Sequence, residues 1–353
     1  MLETYGWSER LQREFAPLDA QGLIAGRVIA QHRGQLILAT DAGDIRAEVS
    51  GRMARDALPG ELPAAGDWVA AAPPVAGGPA MVRQVLNRRT AFTRRSPEGE
   101  TQVVAANVDL ALLTLSVEIA PNLRRLERYL TAAWASGAAP AVALTKADLC
   151  ADTAGVETAV RRGAAGAPVV LLSTVTGEGL EELRSLFSPG LTAVMVGASG
   201  AGKSTLANAL LGEARMEIGA VRADDARGRH TTSHRQLLLL PGGGLLLDTP
   251  GMRELALDDA AEGLEAAFDD IEALAANCRF SDCGHGGEPG CAVRAALDAG
   301  ELDEGRWRGF QKLAREIAHQ AAREDPVLRE QNRRRWVAIH KANRARYKFR
   351  ERE

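Results

Sequence analysis

At 353 residues, 46% of them hydrophobic, the chain is long enough for two or three compact units and can bury a full α/β core. Its formal net charge of −3 excludes a uniformly basic nucleic-acid binder, so any basic surface must be local. No run of 18 apolar residues occurs, and the opening MLETYGWSERLQREF lacks the basic and apolar regions of a secretory signal. A soluble, cytoplasmic protein with no membrane partner is expected.

From Gly22 to about Thr90 the short runs GRVIAQ, QLILAT, DIRAEVS and DWVAA alternate with turns, which predicts a small β-barrel or sandwich. Five or so strands in this length match an OB-type barrel, an oligonucleotide-binding scaffold, and an SH3-like barrel would read similarly. The polar, basic stretch from Arg88 to Glu100 reads as a linker. Next come VDLALLTLSV (108–117), a helical stretch carrying Leu123, Leu126 and Leu130, then APAVALTKADL (139–149), PVVLLST and LTAVMVG. Apolar strands alternating with helices predict βαβ units around a buried parallel sheet. After Asp258 the pattern turns helical, a cysteine cluster follows, and the chain closes on a long charged helix.

The strand LTAVMV runs into Gly197-Ala198-Ser199-Gly200-Ala201-Gly202-Lys203-Ser204, followed by Thr205 and a helical pattern. This G-x-x-x-x-G-K-S spacing predicts a phosphate cradle: the glycines let backbone N–H groups face the phosphates, Lys203 reaches the β and γ oxygens, and Ser204 ligates Mg²⁺. A second strand ends in Asp248-Thr249-Pro250-Gly251, 45 residues after Lys203. Asp248 would reach Mg²⁺ through water and the Gly251 amide would meet the γ-phosphate, both at strand carboxyl ends.

Thr145-Lys146-Ala147-Asp148 closes another apolar strand. The Asp148 carboxylate can accept both N–H groups on the Watson–Crick edge of guanine. Adenine offers no such donor pair, so a site built on that carboxylate, taken here as buried, rejects it. Ser173 in the later VVLLST would supply a backbone amide to the guanine O6. GTP and GDP are therefore the expected ligands.

In ordinary GTPases the phosphate loop precedes the base-reading element, whereas here Asp148 and Ser173 precede Gly197 and the D-x-x-G comes last. The order is circularly permuted. Together with QVVAANVD (102–109), GASGAGKSTL, GRHTTSHR (228–235), LLLDTPGMREL and the cysteine cluster, it resembles the RsgA (YjeQ) family of small-subunit-dependent GTPases over nearly the whole chain. The resemblance implies an OB-fold domain, a permuted GTPase domain and a C-terminal zinc domain. It also implies a role in late maturation of the small ribosomal subunit, with that subunit and its rRNA as partners and a monomeric state. Boundaries at 1–95, 96–262 and 263–353 are expected. Thr174 stands where the family usually has Ala, and Ser233 replaces a third Thr of the switch segment.

Cys278, Cys283, His285 and Cys291 follow a C-x4-C-x-H-x5-C spacing in a glycine-rich setting. Three thiolates and an imidazole satisfy a closed tetrahedral site, predicting one structural zinc per chain and leaving no open catalytic position. Trp307, Phe310, Leu313 and Ile317 recur at helical spacing and read as a core-facing stripe. From Arg329 to Glu353 ten Lys or Arg stand against three Glu, with Trp336, Tyr347 and Phe349 interleaved, an expected RNA contact.

Ras-like enzymes place a Gln shortly after the D-x-x-G to orient water, but here Met252 follows and a thioether cannot do so. The nearest polar groups lie in GRHTTS: Thr231 or Thr232 would complete the Mg²⁺ shell, and His230 would position the attacking water beside the catalytic Lys203.

Overall fold

The computed structural model describes residues 1–32, 35–58, 60–95, 101–118, 120–212, 235–248 and 261–324. Contacts divide the chain into two compact units, Met1–Ala256 and Leu257–Glu353.

The first unit opens with a 3-10 turn at Leu2–Tyr5 and a helix, α1 (Glu9–Asp19). Five strands follow: β1 (Ile24–His32), β2 (Gln35–Thr40), β3 (Gly43–Val49), β4 (Trp68–Ala72) and β5 (Ala80–Val85), with α2 (Gly51–Asp56) between β3 and β4. They pair in the closed order β1-β2-β3-β5-β4-β1, with β3 and β5 parallel. This is the five-stranded barrel expected, in the OB arrangement. Its interior follows from strand alternation: Val69 and Ala71 point inward among Val28, Leu36, Leu38 and Val82. Their neighbours Trp68 and Ala70 pack instead with Leu11 and Phe15 of α1.

The stretch read as a linker is partly a hairpin. β6 (Ala91–Arg95) pairs antiparallel with β7 (Thr101–Ala106). Phe92 is buried, so one apolar side chain in a basic run was enough to make a strand once a partner lay opposite.

The nucleotide-type sheet is built from β8 (Leu110–Ser116), α3 (Leu123–Ala135), β9 (Ala139–Thr145), α4 (Thr153–Gly163), β10 (Val169–Leu171), α5 (Leu180–Ser185), β11 (Thr192–Val196), α6 (Lys203–Leu211), β12 (Arg235–Leu239) and β13 (Leu245–Asp248). Its order is β10-β9-β8-β11-β13-β12, parallel except for β12. Both faces are covered, which is why its strands read as continuous apolar runs. Leu112, Leu113, Leu144 and Val194 are inaccessible to solvent, and each such side chain contributes about 2 kcal/mol of burial. From β8 the chain winds outward to β10 and then returns to the other side of β8 as β11. The β8/β11 boundary is therefore a topological switch point, where open α/β sheets leave a crevice at the strand carboxyl ends.

β12 also pairs antiparallel with barrel strand β1, through Ala30↔Gln236 and Gln31↔Arg235. Barrel and nucleotide sheet thus share one ladder. Beside it, the fully buried Arg27 of β1 donates to Gly66 O (3.2 Å), Asn107 O (3.2 Å), Thr192 Oγ1 (2.8 Å) and the Tyr5 carbonyl, with its guanidinium 5.3 Å from the Trp68 ring. Burial lowers its pKa to about 10, so it remains a cation at neutral pH.

The second unit contains α7 (Ala261–Ala267), α8 (Asp269–Ala275), α9 (Ala292–Asp298) and α10 (Glu304–Glu324). Trp307, Leu313 and Ile317 of α10 are buried, and Phe310 stacks on Trp307 (5.5 Å) and meets Phe268 edge-on (5.5 Å). The helical stripe is therefore core, as its spacing predicts. Arg306 lies over the Phe268 ring and grips Asp270 at 2.6 and 2.7 Å. No helix among the described residues is long and apolar enough to cross a membrane. The basic run Arg329–Glu353 lies outside the described residues.

Candidate nucleotide site and candidate metal centre

The glycine loop Gly197–Gly202 joins β11 to α6 at the switch point. Gly200 and Gly202 have φ of 77° and 85°, left-handed values that a side chain resists. A Cβ on Gly197 would run into the Thr114 carbonyl of β8. The backbone is thus curled over the N-terminus of α6, where first-turn N–H groups and the helix dipole favour an anion. Lys203 Nζ bridges back across the loop to Gly197 O and Ala198 O, both at 2.7 Å. Ser204 and Thr205 occupy the first turn of α6, and Ala198, Ser199 and Ala201 complete the loop.

Asp248 ends β13, which runs parallel to β11 at its flank, so its carboxylate stands at the same sheet edge as the glycine loop. Burial raises its pKa above the ordinary carboxylate value. Gly251, His230, Thr231 and Thr232 lie outside the described residues.

The base-reading element is tied directly to this loop. Thr145, buried at the end of β9, donates its one O–H to Ala201 O (2.8 Å), with Leu115 O a longer alternative acceptor at 3.2 Å. Lys146 follows in a left-handed conformation (φ 64°, ψ 38°), which turns the chain into the short 3-10 turn Ala147–Leu149 carrying Asp148. Its ammonium pairs with Glu118 at 2.5 Å. Ser173 is fully buried and its hydroxyl serves three partners: it donates to Asp148 Oδ1 (2.5 Å) and accepts from the N–H groups of Val175 and Thr176 (3.2 Å each). Asp148 itself is exposed, which corrects the expectation of a buried carboxylate. The turn that presents it stands proud of the sheet, and Ser173 fixes one of its oxygens. Sequence reasoning assigned Ser173 a backbone role and missed this side-chain role, and it missed Glu118 altogether. A Ser in a strand-to-turn junction carries no sequence signal for the partner it will find.

In the second unit the donor atoms of Cys278, Cys283, His285 and Cys291 all lie within 4.8 Å of one another. His285 Nδ1 faces Cys278 Sγ (3.6 Å) and Cys291 Sγ (3.5 Å). Cys291 caps α9 by accepting from Arg294 N–H (3.3 Å), and the His285 ring meets Trp307 edge-on at 5.7 Å. The spacing in the sequence is thus realised as a closed cluster of four donors that could hold a metal ion. Sequence reasoning missed Glu288, whose carboxylate accepts the N–H groups of Gly284 (3.1 Å), Gly286 (2.7 Å) and Gly287 (3.0 Å).

A doubly covered parallel sheet, a glycine loop at its switch point and a guanine-type turn that precedes it in the chain define a circularly permuted P-loop GTPase. The family profile described as RsgA GTPase matches residues 85–258. A protein of Streptomyces avermitilis called small ribosomal subunit biogenesis GTPase RsgA is 49% identical over 340 residues, spanning 95% of this chain and 90% of that protein. One of the same name from Opitutus terrae is 45% identical over 98% of this chain and 97% of its own length. The crystal structure of YjeQ from Thermotoga maritima superposes with a TM-score of 0.63 at 27% identity, covering 84% of this chain and 98% of that one. YloQ, a circularly permuted GTPase, is similar in fold, with a TM-score of 0.59 at 23% identity over 84% of this chain and 95% of its own. The chain belongs to the RsgA GTPase family.

Proposed function

We propose that this protein hydrolyses GTP and couples its nucleotide state to binding of the small ribosomal subunit during late maturation. The observation that carries this reading is the Thr145–Ala201 hydrogen bond, which fixes the guanine-type turn to the phosphate loop so that one ligand carrying both a purine and a polyphosphate spans them. The names of the relatives from Streptomyces and Opitutus support the subunit as partner, since both are called small ribosomal subunit biogenesis GTPases.

In this reading Thr145, Lys146, Asp148 and Ser173 hold the base. Residues 197–205 hold the phosphates, with Lys203 countering charge that develops on them. The loop fits a polyphosphate because its glycines occupy positions that a Cβ would block or strain. Ser204 and Asp248, with Thr231 or Thr232, would hold Mg²⁺ beside the nucleotide, where it would supply positive charge to the phosphates. The cysteine cluster fits zinc, since three soft thiolates and one imidazole match its ligand preference and leave no open position. Its part is structural, one ion per chain. The three segments 1–95, 96–262 and 263–353 then serve as RNA-facing barrel, GTPase and zinc module, the last carrying the basic run 329–353. The protein acts as a cytoplasmic monomer.

The test is turnover of GTP and ATP with and without isolated small subunits. GTP hydrolysis that rises on adding subunits, with no competition by ATP, is the expected result. Turnover indifferent to subunits removes the coupling, and equal use of ATP removes the guanine assignment.

A further inference from the structure

We propose that Glu288 is the positioning residue of the metal centre: its carboxylate folds the Gly284–Gly287 loop so that His285 Nδ1 turns toward the three thiols. This rests on the reading of the cysteine cluster as a metal site. Two ligands, Cys283 and His285, sit on either side of Gly284, and two more glycines follow before Glu288. Such a chain has the largest backbone freedom to lose, so nothing in its own propensity holds a ligand in place.

Glu288 supplies that order. Oε1 accepts Gly284 N–H, on the near side of His285, and Oε2 accepts Gly286 and Gly287 N–H, on the far side. The loop is therefore clamped by one anion at both flanks of the ligand, with charge-assisted bonds stronger than those between neutral groups. His285 is held at φ 55°, a left-handed value that a non-glycine residue resists and that persists only where its surroundings impose it. A Cβ on Gly284 would stand 3.2 Å from Glu288 Oε1, crowding the oxygen that the Gly284 amide needs. The main chain of Glu288 is bound in turn to another ligand, since Cys291 N–H donates to Glu288 O at 3.2 Å. Its carboxylate is not one of the four clustered donors. An anion placed beside three thiolates is unfavourable by charge alone, so its gain must come from the loop it shapes.

The full-length chain loaded with zinc, and separately with Co²⁺, tests this in wild type, Glu288→Gln, Glu288→Ala and Glu288→Asp. Removing an outer partner of this kind costs about 10–100-fold in metal affinity. Transfer of zinc to a chromophoric chelator is expected to accelerate by about that factor in Glu288→Ala. Glu288→Gln, isosteric but unable to accept all three amides, should fall between Ala and wild type. Glu288→Asp, which keeps the charge, should recover part of the loss. The Co²⁺ ligand-field bands should shift and weaken in the Ala and Gln variants as His285 leaves its position. Should Glu288→Ala fail to fold, Glu288→Gln decides by itself. Wild-type release rates and unaltered Co²⁺ bands in that variant overturn the positioning role while leaving the metal site standing. A wild-type chain that takes up no stoichiometric Co²⁺ overturns both.

Discussion

The Ser173 hydroxyl donates to Asp148 Oδ1 across 2.5 Å while accepting two backbone amides from its own turn, so one buried side chain locks the two segments of the base site together. Asp148 is exposed, and this bond leaves its other oxygen directed by a partner it did not choose from its own turn.

Asp148→Asn should weaken GTP binding by about 10–100-fold and shift preference toward xanthine nucleotides, because an amide presents a donor where guanine needs an acceptor. Ser173→Ala should weaken GTP by about fivefold without changing base preference, since it removes the orienting bond and the two amide contacts of its own turn but leaves the Asp148 carboxylate in place. Competition of GDP and XDP against a fluorescent guanine nucleotide measures both. Unchanged GTP affinity in Asp148→Asn removes that residue from the base site.

Arg27→Met should destabilise the chain by about 2–4 kcal/mol, because the methionine leaves the Asn107 and Tyr5 carbonyls and Thr192 Oγ1 without the guanidinium donor, Gly66 O keeping only that of Asn107 Nδ2. Urea unfolding read at the midpoint would show it. An unaltered midpoint would mean that the seam between barrel and sheet is held by the β1–β12 ladder alone.

The raised pKa of Asp248 has a signed consequence. The native state binds that proton more tightly than the unfolded chain. Its contribution to stability is therefore present below the unfolded carboxylate value, about 4, and is lost as pH rises through the folded value. Nucleotide-free Asp248→Asn should lack this decline and be at least as stable as wild type at neutral pH. Unfolding midpoints measured across the acid range should converge at low pH and separate above it. Parallel curves for the two proteins would sink the idea.

Stripping zinc should unfold the second unit first, since ligand geometry and folding are coupled in the loop that carries the four donors. Elemental analysis of protein purified without chelator should return one zinc per chain. Chelation should then remove a thermal transition while GTP binding by the first unit persists. Absence of stoichiometric metal counts against the site.

His230→Ala should retain GTP affinity and lose most of the hydrolysis stimulated by small subunits, as expected if ordering of the GRHTTS segment places the attacking water. His230 lies outside the described residues, and sequence alone supports its role. Stimulated turnover equal to wild type, with subunit binding intact, assigns the water to another group.

The residue order by itself determined the fold class, because apolar runs of strand length alternating with helical stripes have few ways to bury their faces. It also determined the family, the chemistry of the glycine loop and the four metal-type donors, since these depend on residue type and spacing. The hairpin of β6 and β7 was hidden because a basic strand reveals itself only when Thr101–Ala106 pairs with it. Burial was misread at Asp148 because exposure belongs to the turn that carries it. Only the tertiary structure decided that β12 would pair with barrel strand β1, that Arg27 would be buried among carbonyls, and that Ser173 and Glu288 would orient a base-reading acid and a ligand histidine. The first is a backbone ladder and the others are side-chain hydrogen bonds: Arg27 and Ser173 meet partners distant in sequence, and Glu288 meets amides of its own loop, and none of these leaves a periodicity in the chain.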